Sequence, residues 1–215
     1  MNEKDSIHYL SIMMRKFVTN LALVLLLNLL VKPFWVFGID RTVQNVVGAE
    51  TYGFYFSLFS FSLLLNILLD IGITNFNNRA IAREPIRLIQ YLPDIIILKL
   101  MLAVVYAVIC LCAGLLIGYN REQSGLLIVL IFNQFLASFI LYLRSNISGL
   151  HLFRTDSLIS VLDRTLAIIF CAVLLWGNIV KSPFQIEWFV WSQTTAYFIT
   201  ALVTLIIVTR KSGYL

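Results

Sequence analysis

An all-α, polytopic membrane bundle of six transmembrane helices is the fold class this sequence predicts, on three observations. The composition is 60% hydrophobic and 13% charged, whereas an average soluble domain is about one-quarter charged. The apolar residues gather in six runs: Phe17–Ile39, Tyr52–Ile73, Pro93–Gly118, Gly125–Leu150, Thr155–Gly177 and Gln185–Thr209. Each approaches the ~20 helical residues that cross a ~30 Å hydrocarbon core. The runs are continuously apolar rather than alternating, which selects helices over a barrel. The connectors are too short for a soluble domain, so any activity must sit between helices or on short loops.

Residues 1–16 mix charges with Ile7, Leu10, Met13 and Met14, an approximate helical stripe that Phe17 continues. No small-residue cleavage pattern follows, so this segment reads as an interfacial amphipathic helix on the cytoplasmic side rather than a signal peptide. Residues 17–209 form the six-helix unit. In the first run Asn28 and Lys32 make an i, i+4 pair, and Pro33, which lacks an amide donor, predicts a kink. The second run places Ser62, Asn66 and Asp70 on one face, continued by Thr74 and Asn77. The third carries Lys99 together with Cys110 and Cys112; these cysteines and Cys171 read as small buried hydrophobes. Asn133 and Arg144 stand nearly in line on the fourth, and the fifth holds Asp163 and Arg164. Gln193, Tyr197, Thr200 and Thr204 form a stripe on the sixth. Residues 210–215 read as a cytoplasmic tail or a linker to a second lobe.

The net charge of +5 is unevenly distributed. With six crossings, Lys4, Arg15, Lys16, Arg79, Arg83, Arg87, Arg154, Arg210 and Lys211 share one side, against Arg41, Arg121 and Lys181 on the other. This asymmetry places both termini in the cytoplasm. Trp35, Trp176, Trp188 and Trp191 fall at the opposite ends of the spans, where an aromatic belt is expected. The basic clusters read as topology signals, and no nucleic-acid partner is expected.

Intramembrane Ser, Thr and Asn commonly bond neighbouring helices, at about 0.6 kcal/mol each. A charge facing lipid is dearer, at least ~2.5–3.5 kcal/mol near a helix centre. Lys32, Lys99, Arg144 and Arg164 outnumber Asp70 and Asp163 by two, which suggests a polar cavity for an anionic ligand. Snorkelling of Lys99 and Arg164, or a static Arg144–Asp163 pair, is the competing account. Catalytic constellations are missing: His8 and His151 are remote, and there is no H-E-x-x-H, Gly-x-Ser-x-Gly or Gly-rich phosphate loop. Asp156 and Asp163 share a face but make a weak metal site alone. The chain therefore reads as no enzyme, with no cofactor or metal.

The stretch Val47-Gly48-Ala49-Glu50-Thr51-Tyr52-Gly53-Phe54-Tyr55 resembles the start of the second helix in Wzx-type polysaccharide and O-antigen flippases. Those proteins belong to the multidrug/oligolipid/polysaccharide exporter superfamily. Their second helix ends in an Asp-hydrophobic-Gly-hydrophobic step before a basic segment, matched here by Leu69-Asp70-Ile71-Gly72-Ile73 and Arg79-Ala80-Ile81-Ala82-Arg83. Gly48 and Gly53 would suit a tight turn, and Gly72 a close helix contact. Family members resemble two six-helix lobes, so this chain looks like the N-terminal lobe, needing a second lobe or a second copy to enclose a cavity. The resemblance implies alternating-access transport of a lipid-linked oligosaccharide across the bacterial inner membrane for surface polysaccharide or lipopolysaccharide. Polysaccharide polymerase and glycosyltransferases would be functional partners. Lys32, Arg144 and Lys99 or Arg164 would then meet the diphosphate. Asn28, Asn66 and Gln193 would meet sugar hydroxyls, and Asp70 would hold a cation or bias a gate. The rival readings are a drug or metabolite exporter, with more cavity carboxylates, and a non-transporting scaffold.

Overall fold

The computed structural model describes residues 22, 25–177 and 184–213, and within them the chain is helical without strands. The expected amphipathic segment 1–16, the start of the first run, Lys181 and the last two residues lie outside the described residues. Helix α1 (25–33) passes at Pro33 into a π-helical stretch, Phe34–Asp40, and then into α2, Arg41–Val47. Pro33 removes one i→i−4 donor, and the register changes immediately after it, where the sequence predicts a kink. The remaining elements are α3 (Ala49–Leu64) with a 3-10 extension (Leu65–Leu69), α4 (Ile73–Arg83), α5 (Arg87–Ile117), α6 (Arg121–Gly149), α7 (Phe153–Trp176) and α8 (Ile186–Ser212).

Five of these stretches, Ala49–Leu69 and the four helices α5 to α8, are long and apolar enough to cross a membrane. The protein is a helical membrane bundle. Helix α5 starts at Arg87 rather than Pro93, so Pro93 lies inside it, in the second turn, and supplies no amide donor to the carbonyl four residues earlier. Glu50, Glu122 and Glu187 occupy the first turns of α3, α6 and α8, where a carboxylate complements the helix dipole. Asn120 and Gln123 form a reciprocal capping box that starts α6 only three residues after α5 ends.

Helices α6 and α8 form the interior. About half of each apolar span is buried, against about a fifth for α3, α5 and α7. Helix α6 packs on α3, α4, α5, α7 and α8, and its buried polar residues bond across those seams. Asn66 Nδ2 donates to Gln134 Oε1 at 2.5 Å, and Asn77 Nδ2 donates to Ser145 Oγ at 2.8 Å and Asn146 Oδ1 at 3.0 Å. The threonine stripe on α8 is satisfied locally instead: Thr200 and Thr204 donate to the carbonyls of Ala196 and Thr200.

Several sequence expectations change here. The single face Ser62–Asn66–Asp70 is lost, because the α-helix stops at Leu64 and Asp70 lies beyond the 3-10 turn with φ −152°. Asn77 belongs to α4, a separate amphipathic helix. Gly48 makes the expected turn with φ +89°, but Gly53 lies inside α3. Gly72 makes no close helix contact: a Cβ there would meet nothing within 4 Å, and the residue serves a backbone at φ +80°. The close contact is at Gly149, where a Cβ would lie 2.9 Å from Ile81 Cβ and 3.1 Å from the Asn78 carbonyl oxygen. Gly149→Leu is expected to push α4 from α6 and lower stability by about 1–3 kcal/mol. Gly72→Ala should cost about 1 kcal/mol through backbone strain, and Gly72→Asn less. Thermal unfolding in detergent checks this; an unchanged midpoint for Gly149→Leu would contradict the packing.

Candidate functional site

A cavity of about 230 Å³ opens between α1, α6, α7 and α8. Its polar lining is Lys32 from α1, Arg144 from α6, Ser160, Asp163 and Arg164 from α7, and Tyr197 from α8. Three of the four cations that the sequence places within spans thus converge. On α7 the spacing explains it, since residues 156, 160 and 163/164 return to one face every turn.

Each cation is held differently. Arg144 Nε donates to Asp156 Oδ1 at 2.7 Å, both side chains being partly buried. The expected partner, Asp163, instead lies beside Arg164, with Oδ2 3.8 Å from Nε. The seven-residue spacing makes both carboxylates face α6, and Asp156, nearer the α6–α7 turn, is at Arg144's level. Arg164 also lies over two rings, its Cζ 5.2 Å from the Trp35 centroid and 5.7 Å from that of Tyr197. Cation–π attraction of about 0.5–2 kcal/mol favours that position. Trp35 is itself clamped, stacked on Phe189 at 5.6 Å, which meets Tyr55 edge-on at 5.5 Å. Lys32 is exposed and has no hydrogen-bond or ion-pair partner among the described residues.

The cavity therefore has three cations against two carboxylates, counting Asp156. The guanidinium of Arg164 has donors beyond the one directed at Asp163. Asn28 Nδ2 donates to Ser160 Oγ at 3.3 Å, fixing α1 to α7 at the cavity wall. Together these groups can receive an anion through charge-assisted donors, with neutral oxygens and nitrogens nearby for hydroxyls.

The other sequence candidates lie elsewhere. Lys99 is 1% exposed and does not snorkel. Its Nζ donates to the Leu69 carbonyl at 2.8 Å and to Ser138 Oγ at 3.0 Å, and lies 3.3 Å from Asp70 Oδ1. Asp70 in turn accepts from Thr74 N at 3.0 Å, capping α4. Asn66 is bonded to Gln134, as above, and Gln193 Nε2 donates to Tyr55 OH at 3.3 Å. These four residues hold helices together and do not line the cation cavity. Conversely, Trp35 is 8% exposed rather than part of a belt, whereas Trp176 and Trp191 face outward. Its helical position alone did not reveal that Arg164 covers it.

A family model described as polysaccharide biosynthesis protein matches residues 11–213. Neither the curated proteins nor the solved structures compared with the chain contain a match.

The asymmetry of the Lys99–Asp70 pair yields a stability test. Asp70→Asn keeps a capping oxygen for Thr74 but leaves a fully buried ammonium without its counter-charge, at about 3 kcal/mol. Lys99→Met removes the buried charge, and Ser138 Oγ, 3.3 Å from the Leu69 oxygen, still donates to that carbonyl. It should cost less, about 1–2 kcal/mol, and the double variant should recover part of the Asp70→Asn loss. Detergent melting curves decide; Lys99→Met as the more damaging substitution would contradict the assigned roles.

Proposed function

This chain belongs to the polysaccharide biosynthesis protein family, and from that premise we propose that it is a flippase lobe that moves polyprenyl-diphosphate-linked oligosaccharide across the bacterial cytoplasmic membrane. The observation that carries the reading is the convergence of Lys32, Arg144 and Arg164 on one cavity within the apolar bundle. Two or more unneutralised oxygens of a diphosphate complement a site whose lysine is unpaired and whose Arg164 has donors to spare. A cavity selecting a cationic drug would instead have carboxylates in excess.

In this reading Lys32 supplies a movable point charge, and Arg164 a planar donor set held in place by Asp163, Trp35 and Tyr197. Arg144, tied to Asp156, adds positive potential at the end of the cavity toward the α6–α7 turn. Asn28 and Ser160 face the attached sugar. Transport requires that the cation side become accessible from each face of the membrane in turn, with both termini cytoplasmic. A second six-helix unit, a following lobe or a second copy, closes the side on which Lys32 is open. The protein's role is transport rather than catalysis.

The test is glycan export by the full-length protein in cells. Lys32→Ala should reduce export at least about tenfold at normal membrane abundance, the scale of one lost charge-assisted bond. Arg164→Lys should retain part of the activity and Arg164→Ala little, since lysine keeps charge but loses the fork. A scaffold would tolerate all three substitutions, and full export with abundant Lys32→Ala and Arg164→Ala proteins would overturn the proposal.

A further inference from the structure

On the other side of α6 from the cation cavity lies a second concavity of about 390 Å³, lined by Gly72, Phe76, Arg79, Arg83, Glu84 and Arg87. We propose that it binds the phosphate headgroup of an anionic phospholipid in the leaflet at that end of the bundle.

The helix that forms it has two committed faces. Asn77 and Ile81 of α4 are buried against α6, while Phe76, Arg79 and Arg83, at i, i+3 and i+7, turn away from that seam into the concavity. Arg87 completes the set from the start of α5. Its Nε donates to Glu84 Oε2 at 2.6 Å and its Nη1 to Tyr91 OH at 3.3 Å. Tyr91 stacks on Phe76 at 5.9 Å, so one wall is built from fixed side chains. Arg79 and Arg83 have no hydrogen-bond or ion-pair partner among the described residues. Three guanidiniums against one carboxylate leave the site two positive charges in excess. The Arg87 hydrogen bond holds the Glu84 carboxyl below its usual range, so this balance persists at mildly acidic pH.

A lipid fits better than a soluble anion because of the rim. Phe76 in the lining is exposed, as are Ile71 and Ile86, the chain neighbours of its lining residues Gly72 and Arg87, and the concavity sits where the spans Ala49–Leu69 and Arg87–Ile117 end. Apolar side chains beside guanidiniums at that depth match acyl chains beside a phosphate. The forked donors of arginine suit its oxygens. Topology alone asks for positive charge on this loop, not for its concentration in one concavity.

The experiment measures thermal unfolding of the full chain in a neutral detergent with phosphatidylglycerol, phosphatidylcholine or inorganic phosphate added. Phosphatidylglycerol should raise the midpoint by about 3–5 °C, and the other two should not. In an Arg79→Gln/Arg83→Gln double variant, half-saturation should require about 30-fold more phosphatidylglycerol, since each arginine contributes about a factor of five. An Arg210→Gln/Lys211→Gln variant, equally reduced in charge but outside the concavity, should respond as the parent does. Arg79→Lys/Arg83→Lys should fall between. No shift in the parent, or equal weakening by the Arg210/Lys211 pair, would overturn the site. Inorganic phosphate matching phosphatidylglycerol would overturn its assignment to a lipid.

Discussion

The buried ammonium of Lys99 resolves the hardest local problem in this fold, a helix that breaks inside an apolar bundle. Between Leu65 and Asp70 the α-helical ladder is lost, and lipid offers no water to the freed carbonyls. Lys99 donates to Leu69 O and Ser138 Oγ while Asp70 balances its charge. One side chain thereby joins α5, α6 and the α3–α4 break. The break also turns the chain so that α4 can lie against α6 through Asn77. That in turn directs Arg79 and Arg83 outward, and it depends on the absence of a side chain at Gly149.

Helix α6 is consequently two-faced. Toward α3, α4 and α5 it presents Gln134, Ser138, Ser145 and Asn146, neutral groups paired with neighbouring helices or with Lys99. Toward α7 it presents Arg144, whose partner is a carboxylate. Neutral hydrogen bonds of modest strength suffice where helices stay packed, whereas the charged side faces a cavity. The four cations that the sequence places within spans thus divide into one that supports the fold and three that line one cavity. A count of charges cannot make that distinction; the protein environment does.

Five of the six expected spans were legible in the sequence because lipid imposes length and continuity on apolar runs; the first run lies partly outside the described residues, and the second breaks at Leu65–Leu69 before its expected end. The candidate site was legible in part. Helical spacing fixes which residues share a face of one helix, so Asp156 with Asp163 stood out, and Asn28 with Lys32. It does not fix the rotation and height of one helix against another. For that reason Asp156 rather than Asp163 meets Arg144, and Trp35 lies under Arg164 rather than at the headgroups. Extending one helical register through Asp70 failed for a further reason. The interaction that compensates the break comes from Lys99, thirty residues away, and no local propensity announces it.

The central claim, that the cation cavity recognises a diphosphate, is tested most directly by binding rather than export. Native mass spectrometry of the full-length protein can compare a polyprenyl diphosphate with the corresponding neutral polyprenol, in the parent and in a Lys32→Ala/Arg164→Gln variant. The account predicts that the parent retains the diphosphate well above the polyprenol and that the variant loses this preference. Equal retention of charged and neutral lipid by the parent, or an undiminished preference in the variant, would contradict it.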